Sequence, residues 1–291
     1  MNTATDTRVP AAVAALCDDA AAFPPALRPL PDAVLAYAKR AGAWYADLIG
    51  PMVLAADALA RLGPVLAEGA VPPPLAVTVA GPGRVPAALA AARALPVELR
   101  SVEVAVPADM AASELVDRLA AAVEDAPDLD VYVEVPRDAR REPVVAALAG
   151  RFRAKFRTGG ARARTHPDEA ELAGALAAAV AAGVPFKATA GLHRALRNTD
   201  PRTGFEQHGF LTLLLATDAL VEGRGEQVAR VLLAERDGPT VAGLLGELDP
   251  DRVRRARAAF TSFGTCSIAD PLTELIALGI VTAPDPGATG G

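Results

Sequence analysis

Lysine is nearly absent from this chain. Only three of its 29 basic residues, Lys39, Lys155 and Lys187, are lysine, and the remaining 26 are arginine. Aromatic residues amount to 4% of 291 and the net charge is −6, which argues against a nucleic-acid-binding surface built from a basic face and stacking rings. Cysteine is as scarce. Cys17 and Cys266 cannot build a metal cluster alone, and one disulfide across so long a loop is not expected in a reducing compartment. Although 52% of residues are hydrophobic and mean hydropathy is +0.25, no apolar run reaches the roughly 18–20 residues of a membrane span. The opening residues lack the basic start and continuous apolar stretch of a secretory signal, so a cytoplasmic location is expected. Nucleotide-binding signatures are missing too: no GxGxxG follows the first strand, and GxxxxGK followed by Ser or Thr does not occur. His166, His193 and His208 do not have the spacing of HExxH, so neither a metal site nor a cofactor is expected.

What is present is an alternation of short β-like and longer helical runs. Strands are predicted at Leu48–Leu54, Leu75–Ala80, Ser101–Val106, Asp130–Val135, Phe152–Phe156 and Val184–Ala188, with helices at Ala56–Ala67, Val85–Ala94, Ser113–Glu124, Pro143–Ala149 and Asp168–Ala182 between them. This rhythm implies parallel βα units, and a (β/α)8 TIM-like barrel is preferred over an open doubly wound sheet. Pro10–Ala22 and Asp32–Trp44 read as extra helices, so residues 1–46 are expected as a helical extension packed on a barrel of residues 47–283. Residues 194–260 break the rhythm: a polar stretch, Arg194–Gln207, resembles an active-site lid, and helical sequence follows as an insertion before the last strand. Ser262–Ile280 reads as that strand with its closing helix, and 284–291 as a disordered tail.

Where arginine serves for every ordinary positive charge, the surviving lysines are candidates for chemistry that arginine, always protonated, cannot perform. Lys155 and Lys187 each end a predicted strand and precede a turn of Thr, Ala and Gly. Strand C-termini form the active face of a barrel, and neighbouring strands lie about 4.8 Å apart. Two lysines on consecutive strands then stand close enough for one cation to favour a neutral, nucleophilic form of the other. Glu103 and Glu134, also on predicted strands, either share this polar centre or simply neutralise the lysines as ion pairs. His193 lies at the same rim and is the acid/base candidate. Asp18 and Asp19 read as a solvated helix end, with a functional role only if their loop folds across the barrel mouth. The turns Gly159-Gly160 and Gly264-Thr265-Cys266-Ser267, with Arg157, are candidates for binding an anion; Asp270-Pro271 just beyond is also an ordinary helix start.

Three motifs in order resemble the deoxyribose-phosphate aldolases and related class I aldolases: Lys155, Thr158 and Gly159; Phe186, Lys187 and Gly191; Phe263, Gly264 and Ser267. The resemblance implies that Lys155 forms a Schiff base, that Lys187 depresses its pKa, and that Glu103 takes the place of the family's proton-relaying Asp. Arg157 stands where the family has a small residue, His193 has no counterpart, and the segment before the third motif is longer. The expected enzyme is a Schiff-base lyase acting on a small anionic or phosphorylated carbonyl compound, without nucleic-acid or membrane partners. A homo-oligomer is compatible with this reading. Two others stay open: a barrel that binds a metabolite without covalent chemistry, as an isomerase or sensor, and an interaction protein that docks a partner through Phe210–Val221.

Overall fold

Strand-forming runs of β-branched and aliphatic residues recur through residues 9–284, the part of the chain that the computed structural model describes. They form β1 (Cys17–Asp19), β2 (Ile49–Ala55), β3 (Leu75–Val79), β4 (Leu99–Ala105), β5 (Asp130–Glu134), β6 (Arg153–Arg157), β7 (Phe186–Thr189) and β8 (Phe260–Thr265). All eight are parallel and close into a barrel in the order β1-β8-β7-β6-β5-β4-β3-β2. Helices α1 (Leu30–Ala41), α2 (Leu59–Ala67), α3 (Val85–Arg93), α4 (Ala112–Ala122), α5 (Arg141–Leu148) and α6 (Glu169–Ala181) return the chain between the first seven strands. The expected (β/α)8 architecture is therefore observed.

Local chemistry explains where these helices start and stop. Pro31 in the first turn of α1 needs no amide partner there, Asp32 beside it suits the positive helix end, and Lys39 and Arg40 suit the negative end. Asp168 caps α6 by accepting the Glu171 backbone N–H at 2.8 Å. Between strands and helices lies a continuous apolar layer that includes Val102, Val104, Val131, Val133, Leu119, Leu148 and Leu176, all buried. Each such side chain contributes about 1.5–3 kcal/mol relative to an exposed one.

The N-terminus departs from expectation. Residues Ala11–Ala15 form a turn, and Cys17–Asp19 are a fully buried barrel strand paired with β8 on one side and β2 on the other. Residues read as a helical extension thus supply the barrel's first β/α unit. Alanine-rich sequence favours helix by intrinsic propensity, but pairing on both edges overrides that preference over three residues. The tail expected at 284–291 lies, but for residue 284, outside the described residues.

The insertion between β7 and β8 is helical, as expected: α7 (Phe210–Val221), α8 (Glu226–Leu233), α9 (Gly238–Gly246) and α10 (Pro250–Ala259), with α11 (Ala269–Ala277) following β8. The stretch before it folds into a small antiparallel hairpin, Asn198–Thr199 against Glu206–Gln207. Every residue from Phe210 to Ala219 is buried, and α7 packs among α6, α8, α10 and β8. It belongs to the core, which removes the apolar helix proposed as a docking surface. Among the described residues no helix is long and apolar enough to cross a membrane.

His208 ties this insertion to the barrel: its Nε2 pairs with the Pro167 carbonyl at 2.9 Å, and the side chain is buried. Burial, reinforced by the Arg197 charge, pushes its pKa down to about 4. A folded pKa below the unfolded value stabilises the fold above about pH 6.5 and loses that contribution as pH falls through 4, a loss of up to roughly 3 kcal/mol. Urea unfolding of wild type and His208→Gln between pH 7 and 4 is expected to show a steeper loss in wild type; parallel curves would refute this assignment.

Candidate active site

Strand alternation places every second residue inside the barrel, so Lys155 and Arg157 share one face of β6 while Phe156 faces the surrounding helices. Lys155 and Lys187 are direct register partners across β6 and β7, and Glu134 is the partner of Lys155 on the other side. The register therefore sets three charged side chains at one level. One strand further, Glu103 reaches into the same group.

The two amines meet through a carboxylate. Glu103 Oε2 accepts Lys155 Nζ at 2.8 Å and its Oε1 accepts Lys187 Nζ at 2.5 Å. Lys187 also donates to Asp18 Oδ2, which accepts the Ser262 hydroxyl at 2.8 Å as well. Lys155 has a second acceptor in Glu134 Oε2 at 3.2 Å, and the other Glu134 oxygen accepts Arg157 Nε at 2.9 Å. Tyr132 lies beneath, its ring centroid 5.2 Å from Lys187 Nζ and its hydroxyl 3.0 Å from Thr261 Oγ1. The side chain of Lys187 is 2% exposed and that of Lys155 8%.

Burial alone would drive all these groups toward neutrality, and the ion pairs oppose it. For Lys187 burial pulls the pKa down, but Asp18 and Glu103 outweigh it and hold the amine firmly protonated. For Glu103 burial pushes up, and the two lysines overcome that to leave the carboxyl at about 2. Glu134 is lowered in the same way, with Lys155 and Arg157 overcoming its burial. Asp18 is raised, because burial exceeds the pull of Lys187. Burial also lowers His193, which is therefore a neutral ring near pH 7.

Above the lysines opens a cavity of about 1130 Å3 at the C-terminal mouth of the strands. Lys155, Lys187, Glu103, Glu134, Arg157 and His193 all line it, so the predicted catalytic set is gathered in one place. His193 stands by β8, where its Nδ1 lies 3.2 Å from Thr265 Oγ1 and 3.9 Å from Cys266 Sγ. The segment 194–207 contributes Asp200, Arg202, Thr203, Phe205 and Gln207 to the wall, and Phe23, Pro24 and Pro25 close another side.

The predicted anion residues divide. Arg157, Gly160 and Gly264 line the cavity. Thr158 does not: its hydroxyl donates to the Ala190 carbonyl at 2.5 Å, tying the β6 and β7 loops together. Gly159 makes that junction possible, because a Cβ there would come within 2.9 Å of the Gly191 Cα. Thr265 donates to the Ser267 carbonyl at 3.1 Å, while the Ser267 hydroxyl accepts the Asp270 N–H at 3.4 Å. The Thr265 hydroxyl is thus engaged in shaping the turn, while the Ser267 hydroxyl only accepts there.

Asp18 was the residue least visible as a site member. Register with Gly264 of β8 turns it inward, whereas Asp19 accepts Arg40 on the other face. The signal for it was an incomplete strand tally: seven strands were legible where a closed barrel needs eight. Gly50 completes its placement, since a Cβ at that position would collide with Asp18 Oδ1. Gly50→Ala is expected to push Asp18 off Lys187 at a cost of about 1–3 kcal/mol. Gly42→Ala, with open space around its Cβ, serves as the control. Equal urea midpoints for Gly50→Ala and wild type would rule this packing out.

Comparison with protein-family models and with curated proteins finds no match to this chain.

Proposed function

We propose that the protein is a cytoplasmic Schiff-base lyase of aldolase type, acting on a small anionic carbonyl compound. The observation that carries this reading is the pair of buried lysines in register at the barrel mouth, sharing one carboxylate beneath a ligand-sized cavity. A buried ion-pair net of this kind adds little stability over apolar packing, so stability alone gives no reason to place it there. Perturbed groups gathered in a cleft are the usual mark of a reacting centre.

The two lysines have separate roles. Lys187, clamped by Asp18 and Glu103, is the fixed cation. Lys155 is the nucleophile: it is the more exposed amine and faces the cavity beside Glu134 and Arg157. Its nitrogen adds to the substrate carbonyl carbon, the carbonyl oxygen leaves as water, and a protonated imine remains. A base in the cavity takes the proton of the hydroxyl on the β-carbon, the bond between the α- and β-carbons breaks with its electron pair passing toward the imine nitrogen, and one fragment leaves as a second carbonyl compound while an enamine remains. A proton then returns to the enamine carbon, and water hydrolyses the imine. Glu134 and neutral His193 are the proton carriers within the cavity, and Glu103 holds both lysines in place.

Borohydride added with a panel of short aldehydes and ketones, followed by intact mass and peptide mapping, tests this reading. The expected result is a reduced adduct on Lys155 that disappears in Lys155→Arg. No adduct with any carbonyl compound, or one that survives Lys155→Arg, would overturn the proposal. The pairing of both amines with carboxylates also suits a barrel that binds a metabolite without covalent chemistry. That alternative predicts ligand-induced thermal stabilisation that persists in Lys155→Arg and drops in Arg157→Ala.

A further inference from the structure

The lysine cavity is larger and less polar than its charged half requires. From Lys187 the cross-strand register runs through Lys155 and Glu134 to Ala105, and from Glu103, two residues earlier on the same strand, through Thr78 to Ala55. Long charged side chains therefore give way to small ones on passing round the barrel. No residue that β2 or β3 presents to the cavity, Val53, Ala55, Thr78 or Val79, is larger than valine. Beyond them the same cavity is bounded by Ala88 and Ala91 of α3. The empty space is thus displaced from the lysines into an arm that crosses the ends of β2 and β3 to reach α3.

Pockets of about 300–1,000 Å3 suffice for drug-sized ligands, and this cavity measures about 1130 Å3. A carbonyl compound the size of glyceraldehyde, held at Lys155, would leave most of it to water. The arm also offers such a compound little to bond. Thr78 supplies one hydroxyl, while Asp57 and Arg84, in the turns after β2 and β3, are exposed to solvent. On the other side of the barrel the hydroxyls of Thr158 and Thr265 already donate to backbone carbonyls. A polyhydroxylated chain entering the arm would give up its bonds to water without replacement. An alkyl chain there would gain from burial in proportion to its apolar area.

We propose that the arm binds an alkyl chain carried by the substrate whose carbonyl lies at Lys155, so that the substrate class is an aliphatic carbonyl compound with a chain, not a polyhydroxylated one. That the chain belongs to a reacting substrate rests on the Schiff-base reading above; that the arm binds an alkyl chain does not. The charged strands hold the reacting end, and the small residues of β2, β3 and α3 select the other.

Two measurements separate these claims. Calorimetric titration of the full chain with butan-1-ol, hexan-1-ol and octan-1-ol, which have neither charge nor carbonyl, tests the arm without any covalent step. Affinity is expected to rise about 3-fold for each added methylene. Ala91→Phe and Ala55→Leu fill the arm from opposite walls and are expected to flatten that rise, with circular dichroism and melting curves confirming that each is folded. The wild-type series needs neither variant. Borohydride trapping on Lys155 is expected to favour octanal over propanal and glyceraldehyde by at least 10-fold, a preference eroded in both variants. No gain with chain length in wild type, an undiminished gain in both folded variants, or glyceraldehyde trapped as well as octanal would each overturn the proposal. Adducts on Lys155 without any preference for chain length would leave the Schiff-base reading standing and sink the alkyl arm. Alcohol affinity that rises with length, with no adduct from any aldehyde, would sink the Schiff-base reading and leave the arm standing.

Discussion

The bridge from Lys155 through Glu103 to Lys187 is the contact around which the interior of the barrel is arranged. An ammonium group buried without a partner carries a desolvation penalty of several kcal/mol. Two such groups on adjacent strands would repel each other as well, so a carboxylate between them is a condition for closing the barrel with both lysines inside. Glu103 meets that condition for one charge. The second is met in two directions, by Asp18 below Lys187 and by Glu134 beside Lys155. Each further residue follows from this requirement: Ser262 fills a second valence of Asp18, and Arg157 the free oxygen of Glu134.

The N-terminal unit exists in this form to hold Asp18 at the right depth. A strand of three residues has little stability of its own, yet it is paired on both edges. Its two aspartates then meet opposite fates through alternation alone. Asp18 turns in toward Lys187, and Asp19 turns out, where its carboxylate accepts Arg40 of α1 and the Ala21 N–H. Tyr37 of the same helix donates its hydroxyl to the Gly50 carbonyl at 2.9 Å. This fixes the segment of β2 that presses against Asp18. Helix, strand and site are thus one mechanical unit, which explains why so short a strand stays in register.

The middle of the chain was readable because its local and long-range signals agree. Runs such as DVYVE favour strand by propensity, and their neighbours favour helix, so β3 to β7 appear within a residue or two of their expected limits. The lysines and the two glutamates stood out because a charge inside an apolar run needs a partner wherever the strand lies. Asp18 did not stand out, because its surroundings in sequence are alanines, and its partners Lys187 and Ser262 lie more than 160 residues away. The hydroxyls of Thr158 and Thr265 show the converse. Their residue types suit anion binding, but only tertiary contacts decide whether a hydroxyl is left free for a ligand.

The cavity is electrically lopsided, and that asymmetry bears on the strength of the site. Most of its charged wall comes from β4 to β7, while β2 and α3 present Val53, Ala55, Ala87, Ala88 and Ala91, with Asp57 and Arg84 the charges beside them, and Phe23 lines another part of the wall. An apolar wall opposite the charges removes water that would otherwise screen them, so the same fixed cation and carboxylates act on a bound carbonyl through a lower effective dielectric. Rigid placement matters as much as low polarity, because dipoles already held in position need not reorganise as charge develops. Lys187 meets both conditions, with three anchoring contacts to Asp18, Glu103 and the Tyr132 ring. Lys155 has only carboxylates that it shares with other cations, so of the two amines it is the one with the weaker hold on its partners, at the edge of the space where a ligand would sit.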